Sequence, residues 1–175
     1  MEAKLTVNGM EISLGHEALK LITDIIENHP DGQEVIHELA QHPSSDIRTT
    51  VAMNENIQEK TAKLLIKDSS ISVLREIAVN RVALRIITEN DIRELIANKD
   101  TRLLCEIANF IDEYQLCNSN VIAELLVNQP DPRVRCRLAE NQYVPEMFLT
   151  ELCNDQDIDV AKTAKETLND KRKQL

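Results

Sequence analysis

From residue 47 onward, apolar residues return to the same places in a short segment that the chain repeats. Ile47, Val51 and Ala52 form one copy, Val73, Ile77 and Ala78 a second, Leu103, Ile107 and Ala108 a third, and Val134, Leu138 and Ala139 a fourth. A worn last copy begins at Val160. The lead positions lie 26, 30, 31 and 26 residues apart. Spacing of i, i+4 and i+5 puts each trio on one side of a helix. A period in this range predicts helical units stacked on their neighbours. Ahead of each copy stands a second apolar segment, helix A, carrying Leu64-Leu65-Ile66, Leu95-Ile96, Leu125-Leu126-Val127 or Leu152-Cys153. Polar turns at 42–46, 67–70, 98–101, 128–132 and 154–157 join it to the repeated segment, helix B.

The turns end in residues suited to cap a helix N-terminus, most clearly Asp131 followed by Pro132, whose missing N–H costs nothing in the first turn. Asn54, Asn80 and Asn141 follow helix B and are expected to close it in the left-handed conformation that asparagine tolerates. Pro145 marks the restart of a helix A. Segments 81–89 and 111–119 are longer than their counterparts. Extra helical turns are expected there, and with them any function added to the plain repeat. The small alanine of each trio lets neighbouring helices approach at about 8–10 Å. One such pair buries too little to offset chain entropy, so each unit depends on its neighbours.

Residues 1–14 follow a different rule. Two alternating runs flank Asn8-Gly9, a strong signal for a tight hairpin. The hairpin is expected to cover the first helices, or to pair with another chain as a homodimer contact. A helix is predicted over about 15–28, with Ala18, Leu19, Ile22, Ile25 and Ile26 on one side, ended by His29-Pro30. Asp31 with Glu34 reads as a capping box opening a helix over about 32–41, carrying Val35, Ile36, Leu39 and Ala40. The expected organisation is a hairpin at 1–14 and a repeat domain at 15–175. The fold class is all-α: a right-handed α-solenoid of about five helix pairs with a short N-terminal β-hairpin cap.

Composition narrows the partners. The 175 residues are 42% hydrophobic yet only 2% aromatic, with no Trp and three Gly, which suits small, closely packed helices. Thirty acidic and 20 basic residues leave a net charge of −10, and residues 1–57 hold ten acidic against three basic. That balance argues against a nucleic-acid backbone as partner, since phosphate contacts demand basic residues. No run approaches the roughly 20 apolar residues of a membrane span. No signal-peptide pattern opens the chain, so cytoplasm is the expected location. Cys105, Cys117, Cys136 and Cys153 show no CxxC spacing and are expected to be buried free thiols. Cys105 and Cys136 are equivalent positions of successive units, about one helix-packing distance apart and beyond the roughly 7 Å reach of a disulfide. His16, His29, His37 and His42 include no i, i+4 pair, so no metal or other cofactor is expected.

The best copy of the repeat runs from Ala123 to Asn141: Leu125-Leu126-Val127, the turn Asn128-Gln129-Pro130-Asp131-Pro132, then Val134-Arg135-Cys136-Arg137-Leu138-Ala139-Glu140-Asn141. This resembles the leucine-rich repeat variant, a relative of HEAT repeats, over about residues 34–168. The resemblance implies an α-solenoid and leaves activity open. Some members of that family carry a cysteine-ligated iron–sulfur cluster ahead of their repeats. No cysteine here precedes Cys105, so that feature does not carry over. The Val-Arg pair stands at Ile47-Arg48 and Val134-Arg135 but is replaced by Val73-Leu74, Leu103-Leu104 and Val160-Ala161.

With each trio turned inward, the outer columns of helix B carry Arg75, Arg102, Arg133, Arg137 and Lys162 beside Glu76, Glu106, Glu140 and Glu166. In HEAT-like stacks this helix lines the concave face. Arg75, Arg102, Arg133 and Arg137 are therefore the candidate partner-binding residues, able to grip an acidic peptide through bidentate carboxylate pairs. The competing reading pairs them with neighbouring glutamates. No nucleophile-elbow pattern, phosphate loop or other catalytic constellation appears. The expected function is a non-enzymatic protein–protein interaction module, an adaptor or scaffold whose partner is another protein or peptide. One alternative is a HEAT-like DNA-repair glycosylase, for which Phe110, Tyr114, Tyr143 and Phe148 are the only aromatic candidates to stack a base. Another is an acidic decoy for a DNA-binding protein, with the acidic N-terminal third, around Glu27, Asp31 and Glu34, as the mimic.

Overall fold

The computed structural model of the protein describes residues 4–7, 9–26, 29 and 31–173. Strands β1 (Lys4–Val7) and β2 (Met10–Ser13) pair antiparallel, Val7 opposite Met10. Gly9 takes φ 80°, as a primed hairpin turn requires; Asn8 lies outside the described residues. Twelve helices follow among the described residues. The first unit, Met1–Ala83, holds α1 (His16–Ile26), α2 (Gly32–Leu39), α3 (Ser45–Met53), α4 (Glu59–Leu65) and α5 (Ile71–Ile77). The second, Leu84–Leu175, holds α7 (Glu89–Ala97), α8 (Thr101–Asn109), α9 (Ser119–Val127), α10 (Pro132–Glu140), α11 (Glu146–Leu152) and α12 (Ile158–Lys173). The boundary between the units falls inside α6 (Arg81–Ile86).

Each unit is two layers of helices. In the first, α1, α3 and α5 lie side by side, and α2 packs on α4 beneath them. In the second, α8, α10 and α12 form one layer and α7, α9 and α11 the other. In each unit the layer built from helices B has the repeated trio as its interior. All twelve residues of the four trios are fully buried, and Val160 and Ala164 continue the set on α12. Burying an aliphatic side chain is worth roughly 1.5–3 kcal/mol, whereas ordering a residue's backbone costs about 1–2 kcal/mol. The trios therefore hold only because two layers and successive pairs share them. The helices A contribute Leu65, Leu95, Leu126 and Leu152 from below.

Several local expectations give way. On α1, Leu19 is buried and Ile22 and Ile26 are half-buried on one stripe, but Ile25 falls off that stripe and is 76% exposed. The helix ends at Ile26; Glu27 and Pro30 lie outside the described residues. Asp31 forms no capping box: its backbone is already helical (φ −93°, ψ −2°), which leaves its side chain without a cap hydrogen bond. Instead its N–H donates to His29 Nδ1 at 3.2 Å. His42 accepts from Ser44 N at 3.0 Å in the parallel His-Pro turn. Gly32 opens α2 so close to α1 that a Cβ there would collide with the Ile26 carbonyl. A full capping box forms instead at Thr88 and Asp91, ahead of α7. Asp131 caps α10 with Pro132 in its first turn, as the pattern requires.

The asparagines after helix B also work otherwise than expected. Asn54 (φ −73°, ψ 117°) and Asn141 (φ −82°, ψ 114°) are extended, and Lys99 is the sole non-glycine with positive φ among the described residues. Asn80 and Asn141 act through their amides. Asn80 Nδ2 donates to the carbonyls of Ala52 and Asn54, each at 2.9 Å, while its Oδ1 accepts from Val82 N. Asn141 repeats this on Ala108 (3.0 Å) and Asn109 (2.9 Å) and accepts from Tyr143 N. Each side chain thus satisfies orphan carbonyls at the end of the preceding helix B, a tertiary C-cap in place of a left-handed one.

Candidate functional site

Two arginines that the repeat motif supplies are structural clasps. Arg48 reaches from α3 to the turn before α5, with Nε 2.6 Å and Nη2 2.9 Å from the two oxygens of Asp68. Its Nη1 donates to the carbonyls of His42 (2.7 Å) and Pro43 (3.0 Å). Arg135 on α10 repeats the geometry on Asp155 (2.7 and 2.9 Å) and on the carbonyls of Gln129 (2.7 Å) and Pro130 (3.1 Å). Both Asp side chains also accept a backbone N–H two residues on, from Ser70 and Asp157. Burial alone would raise the Asp68 carboxyl, but Arg48 and the Ser70 N–H outweigh it and hold it below the usual carboxylate range. Arg135 does the same for Asp155 against its burial.

The signal for these clasps lies in the turns. Pro43 and Arg48 are five residues apart, as are Pro130 and Arg135, and the paired Asp follows each Arg by 20. Where Leu74 and Leu104 replace the arginine, both are buried, and the position of the acid holds Asn98 or Gln129. Charge appears at one end only where it appears at the other.

Within the second unit, residues 84–88 meet the longer segment 111–119. Residues 81–86 do make an extra helix, α6, whereas 110–118 is turn rather than helix. A parallel bridge joins Thr88 to Leu116, and Gln115 N donates to Leu84 O at 3.0 Å. Cys117 Sγ donates to Ile87 O at 3.2 Å. Tyr114 and Ile111 are buried beneath this contact. The expectation of buried thiols needs correction: all four cysteines are free, as expected, but only half-buried. Burial and the nearby Glu89 and Asp91 push the Cys117 thiol up to about 11. Burial also raises Cys105, against the opposing field of Arg137.

The same turn builds one wall of an open groove of about 630 Å³ at the C-terminal ends of α8 and α10 and along α12. Phe110, Asp112 and Glu113 form that wall. Arg137, Glu140 and Tyr143 form the middle, and Thr167, Asp170 and Lys171 face them from α12. Both cations are engaged by the chain itself: Arg137 Nη1 lies 2.6 Å from Glu140, and Lys171 Nζ donates to Val144 O at 2.8 Å. Asp112 and Glu113 are exposed, and their carboxylates make no hydrogen bond or ion pair with the described residues.

The four candidate arginines divide between the units. Arg75 is half-buried on α5, Arg102 is exposed on α8, and neither lacks a partner. Arg133 and Arg137 come together on α10, close enough that both act on the Cys105 thiol. Arg133 is bound to Asp131 (2.7 Å), which holds the Asp131 carboxyl well below its usual range, with Thr101 Oγ1 donating to the same carboxylate at 2.7 Å. Local pairing with acidic neighbours thus describes Arg133, Arg137 and Lys162, the last 3.9 Å from Glu166. Of the four aromatic side chains, Tyr114 and Phe148 are buried, which leaves Phe110 and Tyr143 accessible. Glu34 lies 3.7 Å from Lys60. Among the described residues no three His, Cys, Asp or Glu side chains gather as a metal site, and no helix is long and apolar enough to cross a membrane.

No protein-family model matches the chain, and no curated protein matches it. Among solved structures it is similar to an engineered protein at 15% identity, covering 90% of this chain and 91% of that one, with a TM-score of 0.48. A designed armadillo repeat protein matches at 12% identity over 89% and 92%, TM-score 0.43. Another, in complex with the peptide (KR)4, matches at 14% identity over 89% and 80%, TM-score 0.28. These likenesses are distant.

Proposed function

We propose that the chain is a non-enzymatic protein–protein interaction module that takes a peptide or helix on the helix-B side of its repeats. The observation that carries this reading is the groove across the ends of α8, α10 and α12. It is open, of a volume that ligand sites commonly have, and walled partly by a turn that the plain repeat does not need. Its sides combine two accessible aromatic rings with backbone ends and charged groups, the mixture that peptide recognition uses. Stacked pairs hold such a surface rigid, so a partner loses little to reorganisation.

Selection of random twelve-residue peptides displayed on phage tests it. Peptides should be enriched whose binding is lost when Thr167→Arg fills the groove, while the far-UV circular dichroism of that variant is unchanged. Failure to enrich any peptide, or enrichment indifferent to Thr167→Arg, overturns the reading.

A further inference from the structure

The groove is electrically unbalanced. Four carboxylates line it, from Asp112, Glu113, Glu140 and Asp170, against two cations. The two cations cannot offset four acids: Arg137 pairs with Glu140, and Lys171, held by the Val144 carbonyl, keeps its charge without pairing to a lining carboxylate. Asp170 is matched by the exposed Lys173 at 2.9 Å. Asp112 and Glu113 are left without a counter-ion among the described residues. Two helices, α8 and α10, end at the groove, and the carbonyl end of a helix carries partial negative charge that favours cations. In the same groove Tyr143 stands 56% exposed. A tyrosine face in one groove with unpaired carboxylates suits a planar guanidinium, which can stack on a ring while donating in a fork to an acid. The net charge of −10 steers cations toward the chain from a distance.

We propose that this groove binds a basic segment of another protein, seating an arginine side chain against the Asp112 and Glu113 carboxylates and the ring of Tyr143. The proposal rests on the interaction-module reading and names the chemistry of its partner. Arginine is preferred over lysine, because a compact ammonium gains less from stacking and cannot make the forked pair.

Fluorescence polarisation with four labelled twelve-residue peptides tests this at 50 mM salt: glycine alternating with arginine, lysine, glutamine or glutamate. The arginine peptide is expected to bind, the lysine peptide several-fold more weakly, and the other two not measurably. Asp112→Asn combined with Glu113→Gln removes two exposed ion pairs, for about a tenfold loss. Tyr143→Ala should erase most of the arginine-over-lysine preference. A control, Glu59→Gln with Glu38→Gln in the first unit, removes the same charge elsewhere and should leave binding unchanged. Equal losses in the control and the groove variant would mean general attraction to an acidic protein and overturn the proposal. Binding of the glutamate or glutamine peptide at the groove would overturn the basic partner while leaving an interaction module. No binding by any of the four, together with no peptide enriched on phage, would overturn both.

Discussion

Removing one end of a clasp should cost far more than removing both. In Arg135→Leu, Asp155 keeps its charge in a place where its side chain is 8% exposed, and the carbonyls of Gln129 and Pro130 lose their donor. Stranding a buried charge typically costs about 3 kcal/mol or more, against about 0–1 kcal/mol for losing an exposed pair. The burial of both partners, at 15% and 8% exposure, decides for the larger figure, so the expected loss is about 3 kcal/mol. Adding Asp155→Asn removes the stranded charge and keeps an acceptor for Asp157 N. It also recreates the Leu74 and Asn98 combination that the chain already uses. More than half of the loss should return. Urea unfolding followed by circular dichroism measures both, and native-state hydrogen exchange shows whether the weakening is confined to the second unit. A single variant within about 0.5 kcal/mol of the parent would make the clasp an ordinary surface pair. A double variant no better than the single would mean that stranded charge is not the cause.

The remaining predictions address other parts of the molecule. The folded pKa values of Asp68 and Asp155 are depressed, so the unfolded state binds more protons as pH falls; their contribution is complete above about pH 4 and is lost as pH drops through the folded values. The urea midpoint should fall below pH 4, and less steeply once both clasps are replaced by leucine and asparagine. Asn80→Ala leaves two buried carbonyls and one N–H unpaired and should cost about 2–3 kcal/mol in urea unfolding; a loss under about 0.5 kcal/mol would refute the tertiary cap. Gly32→Ala should destabilise the first unit by more than the few tenths expected of a free helix start, because the new Cβ meets the Ile26 carbonyl. Alkylation mapped by mass spectrometry at pH 8 should modify Cys117 far more slowly than a free cysteine peptide, since its thiol is held near 11; equal rates would contradict that environment.

Much of the architecture was legible in the one-dimensional pattern because helix burial is periodic. The trios at 47, 73, 103 and 134 needed only a count of spacing to be placed inside, and all are there. Cap chemistry was legible where a single residue decides it, as at Asp131 and Pro132, and failed at Asp31, where the backbone angle decides. Asn80 and Asn141 were correctly placed at helix ends but not in their role, since their partners lie 26 to 33 residues away. The groove was partly visible, through the extra length at 111–119, yet no local rule joins Asp112 to Tyr143 or Thr167.

What the sequence by itself determined, then, is which residues are interior and how often the chain turns back, because a 3.6-residue period and a roughly 30-residue repeat are properties of neighbours along the chain. Tertiary structure alone decided which arginines are clasps and which stand on the surface, and which acids remain without a counter-ion. Electrostatic pairing depends on distance in space and on burial, and stacking sets both only once the helices are side by side.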